Sequence, residues 1–352
     1  MNQEERQLRR AIQASLALLL TMFVGVGCSG VAEQQASTSQ EVAVQGTPAK
    51  QEEQKTISLG ITQIVEHPAL DSVRKGIVDA LADKGFKDGE NLKVDLQNAQ
   101  GDMNNAISIA QKFTADQKDM IVAIATPTAQ AAAKATKDIP IVFATVTDPV
   151  AAGLVETLDK PGDNITGTSD QLPMSMQVDL IKKFIPDVKK IGVIYSSSEV
   201  NSEVQVKDIE DSAKERNIEV VKVGITKASE VQSGAEALAG KVDAILVPVD
   251  NTVVSAMEGV VTTALKAKLP VFASDTDSVK RGAVATYGID YYKMGYQTGE
   301  MAARILNGEA TSANPVEVTK EADLTINLES AKAFGLQVSD ELKSSAKEVI
   351  GE

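Results

Sequence analysis

Ile245-Leu246-Val247-Pro248-Val249-Asp250-Asn251 decides the fold. The apolar run predicts a buried strand, the proline stops it, and an acid and an amide stand directly before a helical pattern, Thr252 to Ala267. That pattern runs into Leu269-Pro270-Val271-Phe272-Ala273-Ser274-Asp275, a further buried strand with a polar end. The same order of events occurs earlier. Met120 to Ala125 leads to Thr126-Pro127-Thr128, an Ala-rich helix, then Ile139 to Thr145, ending near Thr147-Asp148. A strand, polar turn, helix and Pro-containing strand used twice predicts two similar lobes whose polar strand ends face each other across a cleft.

Working outward, Ile57 to Val65 predicts the first strand, and Pro68 suits the first position of a helix carrying Leu70, Val73, Ile77, Ala80 and Leu81 on one face. Leu92 to Gln97 alternates as a strand, Asp102 can cap the next helix, Val150 to Leu158 begins another, and Asn164 to Thr168 is a short strand. In the second lobe Ile191 to Tyr195, Asn217 to Val223 and Ala283 to Tyr287 read as strands. Strands alternating with helices imply an α/β fold: two Rossmann-like lobes with parallel sheets flanked by helices. The amphipathic stretch Tyr291 to Leu306 has no strand left to join in the second lobe, so it is expected to cross back to the first, and the tail from Glu321 to cross once more. Linkers near 168–170, 288–290 and 321–323 would make a multi-crossover hinge that permits closure. The expected division is 56–168 plus 290–322 for the N-terminal lobe and 169–289 plus 323–352 for the C-terminal lobe.

Composition excludes several functions. The chain has 352 residues and a formal net charge of −14, which cannot neutralise a run of phosphates, so no nucleic acid partner is expected. One cysteine, Cys28, and one histidine, His67, exclude a Cys/His zinc site and internal disulfides. No Gly-x-Ser-x-Gly elbow or phosphate-cradling glycine loop is present, so the expectation is a non-enzymatic protein without cofactor or metal.

Arg6, Arg9 and Arg10 precede an apolar stretch, Ala11 to Val26, too short for a comfortable membrane span, which reads as a signal peptide. It ends in Val24-Gly25-Val26-Gly27-Cys28, resembling a bacterial lipoprotein signal, with residues 1–28 closing at a lipidated Cys28. The alternative is an ordinary secretory signal with an incidental cysteine. Residues 29–55, rich in Gln, Glu, Ser, Thr and Ala, predict a disordered tether. The body is therefore expected outside the cytoplasm, lipid-anchored at the outer face of a membrane or periplasmic.

Ligands of open α/β sheets bind beyond the carboxyl ends of the strands. The candidates there are Gln63, His67, Thr126, Thr128, Thr145 and Asp148 in the first lobe, and Tyr195, Ser196, Ser197, Asp250, Asn251, Asp275 and Tyr287 in the second. Hydroxyls and free N–H groups at helix starts suit a carboxylate, which makes Thr126, Thr128, Ser196 and Ser197 its candidates. Asp148, Asp250 and Asp275 are the candidates for an ammonium. Each of these residues is also a common helix cap, and both uses stay open. His67 is either a cleft residue or merely the residue before a helix-starting proline, and Tyr195 and Tyr287 either wall the cleft or fill the core.

The run Gln63-Ile64-Val65-Glu66-His67-Pro68-Ala69-Leu70-Asp71, with Thr147-Asp148-Pro149-Val150 and Pro248-Val249-Asp250-Asn251, resembles the substrate-binding proteins of ABC importers, in the branch of the tryptophan-binding TrpX-type lipoproteins. The resemblance covers roughly residues 56–345. It implies a type I periplasmic-binding fold and a monomer that captures a free amino acid, with tryptophan, tyrosine or phenylalanine favoured, for delivery to membrane-bound ABC permease subunits. The alternatives are an aliphatic amino acid or a nucleoside-like solute as ligand, or a sensor that presents its closed form to a membrane receptor.

Overall fold

The structure is a computed structural model that describes residues 56–319 and 321–351, all within one compact unit. The signal peptide, Cys28 and the tether lie outside the described residues. In the first half of the chain β1 (Ile57–Gln63), α1 (Pro68–Asp83), β2 (Leu92–Asn98), α2 (Met103–Ala115), β3 (Met120–Ile124), α3 (Thr126–Ala135), β4 (Ile141–Ala144) and β5 (Ile165–Ser169) alternate. All of these strands pair in parallel, as right-handed βαβ units require. β3 and β4 are buried along their whole length, which is why they read as unbroken apolar runs.

The chain then enters the second lobe: α4 (Ser175–Phe184), β6 (Lys190–Ser196), α5 (Val200–Glu215), β7 (Glu219–Ile225), α6 (Val231–Leu238), β8 (Ala244–Val247), α7 (Asn251–Ser255), α8 (Met257–Ala267), β9 (Val271–Ala273), α9 (Thr276–Lys280) and β10 (Ala285–Gly288). It finishes with α10 (Tyr291–Leu306), β11 (Glu317–Val318), β12 (Asp323–Asn327), α11 (Leu328–Ala333), α12 (Asp340–Ser345) and β13 (Glu348–Ile350). The first lobe holds a 6-stranded sheet, β11-β5-β4-β3-β1-β2, and the second a 4-stranded sheet, β7-β6-β8-β9, followed by β10-β12-β13. β11 joins the first-lobe sheet and β12 pairs with β10 in the second lobe, so the chain passes between the lobes after β5, after β10 and after β11.

α10 is the element that returns. Its Met301, Ala302 and Ile305 share a buried cluster with Leu59, Val73 and Ile77 of the first lobe. Burying side chains of this size stabilises by about 1.5–3 kcal/mol each. α1 and α10 touch backbone to backbone, because a Cβ on Gly295 would lie 2.1 Å from the Val73 carbonyl oxygen and one on Gly76 would lie 2.2 Å from that of Tyr292. Glycine is required at both positions, and the contact fixes the starts of both helices, His67 and Tyr291, relative to each other.

Three sequence expectations differ from the structure. Val150 to Leu158 is a turn: Asp148 Oδ1 accepts from Val150 and Ala151 N–H, but Gly153 at φ +71° ends the coil after one turn. Thr252 to Ala267 is split into α7 and α8 at Ala256, because Arg281 donates to the Val254 carbonyl oxygen and diverts it from the helix ladder. The second lobe is not wholly parallel, since β12 runs antiparallel to β10.

Candidate functional site

The strand ends of both lobes converge on one narrow cavity. The first lobe contributes His67, Ala69, Leu70, Thr126, Thr145 and Thr147, and the second contributes Asn201, Val249, Asp250, Asn251, Val254 and Asp275. Asp170 and Tyr291, which lie on two of the crossovers, complete it.

Two turns are bent out of ordinary backbone to build the first-lobe side. Ala125, between β3 and α3, sits at φ +80°, ψ 157°, and Thr145, after β4, at φ +54°. Such conformations cost about 1–3 kcal/mol and gather at functional sites. The turn at Ala125 aims the start of α3 and the Thr126 hydroxyl at the cavity. His67 caps α1, with its Nδ1 accepting from Leu70 N–H at 3.5 Å. That contact puts the ring proton on Nε2. Burial, and after it the positive Arg281, hold the imidazole down at about 4, so it is a neutral donor at physiological pH.

On the second-lobe side Asp250 caps α7, its Oδ1 accepting from Val253 N–H at 2.8 Å and its Oδ2 from Ser196 N–H at 2.5 Å and Ser202 Oγ at 2.7 Å. Burial, with Glu199 adding its charge, pushes Asp250 up to about 7. Asp275 caps α9, accepting from Ser278 N–H and Oγ, and burial raises it too. Asp170 is different. Its Oδ2 accepts from Tyr291 Oη at 3.3 Å, its Oδ1 is buried without a hydrogen-bond partner, and burial lifts it to about 6.

Buried polar atoms normally find partners, yet five around this cavity have none: Asp170 Oδ1, Asn201 Oδ1, His67 Nε2, Thr126 Oγ1 and Thr145 Oγ1. The first two can only accept, His67 Nε2 can only donate, and the hydroxyls do either. Leu70, Val249, Val254 and the Tyr291 ring supply apolar wall beside them. The arrangement suits a small ligand with a positive donor group, a negative acceptor group and an apolar body.

Of the residues expected from sequence, His67, Thr126, Thr145, Asp250, Asn251 and Asp275 line this cavity. The others stand elsewhere. Gln63 donates to Val65 O and Asp71 Oδ1, and Thr128 Oγ1 turns back on the Ile124 and Ala125 carbonyls. Asp148 caps its own turn, Ser196 and Ser197 bond to Ser198 and the Ile225 carbonyl, and Tyr195 and Tyr287 pack on the second-lobe core. Asp170, Tyr291 and Asn201 were not expected. Asp170 sits in a stretch that reads as a linker, although it follows β5 directly, as Asp250 closely follows β8, and Tyr291 opens the amphipathic stretch that crosses back to the first lobe.

The family described as ABC transporter substrate binding protein matches residues 58–350. A tyrosine-binding protein of Clostridioides difficile strain R20291 is 47% identical over 326 residues, 92% of each chain. The structure of an ABC domain in complex with L-tryptophan from Streptococcus pneumoniae is 38% identical, with a TM-score of 0.82 over 84% of this chain and 100% of that one. The ligand-free, open structure of a substrate-binding protein with adhesive properties from Clostridium difficile is 49% identical, also over 84% and 100%, but has a TM-score of only 0.63. The relative more similar in sequence is thus less similar in shape.

Proposed function

Since the chain belongs to the ABC transporter substrate-binding protein family, we propose that it captures a free aromatic amino acid, tyrosine or tryptophan first, between its lobes and delivers it to a membrane permease. The observation that carries this reading is the set of five buried, unpartnered polar atoms around the cavity. Asp170 Oδ1 takes the ligand ammonium. The carboxylate lies at the start of α3, where Thr126 and Thr145 hydroxyls, His67 Nε2–H and the helix N-terminus supply donors. The aromatic ring lies against Leu70, Val249, Val254 and Tyr291. The names of the tyrosine-binding and tryptophan-complexed relatives support the aromatic class. The shape match to the tryptophan complex supports a closed cleft.

In this reading the protein works outside the cytoplasm as a monomer held by a lipid on Cys28, and it binds without turning its ligand over. The apolar stretch that ends at the chain's one cysteine supports the anchor.

A thermal-shift screen of amino acids, nucleosides and sugars tests the ligand class. A ligand at a hundred times its dissociation constant stabilises by about 2.7 kcal/mol. L-tyrosine or L-tryptophan should raise the melting temperature by several degrees; a shift from another class alone would contradict the reading.

A further inference from the structure

Glu199 precedes α5, but its carboxylate serves other segments. Oε2 accepts from Asn201 Nδ2 at 3.2 Å, from Asn251 N–H at 3.3 Å and from Asn251 Nδ2, while Oε1 accepts from Thr252 N–H at 3.1 Å and Thr252 Oγ at 2.7 Å. All five contacts are donors aimed at an acceptor-only group, which lies 5% exposed behind the cavity wall. Asn201 Nδ2 also donates to the Val249 carbonyl at 3.1 Å. Turning the Asn201 amide over would set its oxygen against two acceptors, so its orientation is fixed, and Oδ1 is the atom left buried without a partner.

We propose that Glu199 is a positioning residue that sets the hydrogen-bond polarity of the second-lobe wall. By engaging the NH2 group of Asn201 it leaves that side chain's carbonyl oxygen for the ligand, so this wall accepts and the first-lobe wall donates. A ligand must therefore bring donors to the second lobe, and one that lacks an ammonium leaves a buried acceptor unpaired. This rests on the amino-acid reading above, and it names what makes the site reject deaminated analogues.

Glu199→Gln keeps the shape but places an NH2 where donors already meet. One neighbouring carboxamide must turn its oxygen to the new NH2 and its own NH2 to the cavity, where it opposes an ammonium. The readout is the ratio of affinities for L-tyrosine and for its deaminated analogue, 3-(4-hydroxyphenyl)propionate, by titration calorimetry on the purified full chain.

The wild type should prefer L-tyrosine by about a hundredfold or more, since the analogue strands buried acceptors. In Glu199→Gln the preference should fall to about tenfold or less, mostly through weaker L-tyrosine binding. A Glu199 that merely held the loops together would lower the melting temperature of the unliganded protein and leave the ratio alone. Asn201→Leu removes the acceptor while leaving the Glu199 carboxylate and its four donors from Asn251 and Thr252 in place, and it should lower the ratio in the same direction, so the inference stays testable where Glu199→Gln does not fold. A ratio unchanged in whichever of these variants folds overturns the inference. Failure of the wild type to bind any aromatic amino acid would instead overturn the reading beneath it.

Discussion

Tyr291 donates its hydroxyl to Asp170 Oδ2 at 3.3 Å, and the two residues lie on different crossovers between the lobes. Asp170 follows β5 and Tyr291 begins α10, whose glycines lock it to α1. The pair therefore ties the position of one carboxylate oxygen to the packing of the first lobe. The other oxygen is left for the cavity, within the hinge where a closing ligand would be felt.

Asp170→Asn keeps the volume and removes the charge. If the ligand ammonium pairs with Asp170, the affinity for L-tyrosine falls by about 2–5 kcal/mol, because the ammonium is left buried and unpaired. Tyr291→Phe keeps the charge and loses one hydrogen bond, so its cost should be smaller, about 1 kcal/mol. Titration calorimetry on the two variants checks the order as well as the sizes.

Affinity should weaken on acidification. The unliganded Asp170 carboxyl titrates at about 6 because burial disfavours its charge, and an ammonium partner requires the charged form. Below that value ligand and proton compete, so at pH 5 the dissociation constant should be about tenfold above its value at pH 7.5. His67 does not contribute to this change, because burial holds it at about 4 and it stays neutral throughout the range. Asp170→Asn should flatten the profile. A tenfold pH effect that survives in this variant would place the titrating group elsewhere.

Thr126 and Thr128 stand two residues apart on α3, hence on opposite sides of the helix. Thr126 Oγ1 is unpartnered at the cavity, and Thr128 Oγ1 returns to the strand end. Thr126→Val should weaken ligand binding several-fold and leave the unliganded melting temperature close to wild type. Thr128→Val should do the reverse, lowering stability by about 1 kcal/mol. Differential scanning calorimetry with and without ligand separates the two.

Asp250→Ala should be costly without any ligand. Its oxygens satisfy Ser196 N–H, Ser202 Oγ and Val253 N–H, all buried, so removal combines a lost cap of about 0.5–2 kcal/mol with further unpaired donors. Denaturant unfolding of the unliganded variant should show a loss of about 2–4 kcal/mol. An unliganded stability equal to wild type would contradict the capping role.

The two-lobe fold was legible because buried parallel strands are unbroken apolar runs, and prolines and polar residues mark where they stop. β3, β8 and β9 each carry that signature, and Thr126, Asp250 and Asp275 at their ends do reach the cavity. Which side of a turn faces the ligand was not legible, as Thr128 and Ser197 illustrate. An acid at a strand end looks the same whether it caps its own helix, like Asp250, or leaves an oxygen free, like Asp170; only the donors brought near by distant segments distinguish them. Asn201 and Glu199 were hidden for the same reason, since the partners of Glu199 lie at Asn251 and Thr252, far along the chain.

Calorimetric titration of the purified protein with L-tyrosine, L-tryptophan, L-phenylalanine, L-leucine and a nucleoside, repeated on Asp170→Asn, tests the account most directly. It predicts tight binding of at least one of L-tyrosine and L-tryptophan by the wild type, and loss of that binding by about thirtyfold or more in the variant. Absence of aromatic binding, or aromatic binding that Asp170→Asn leaves intact, would contradict it.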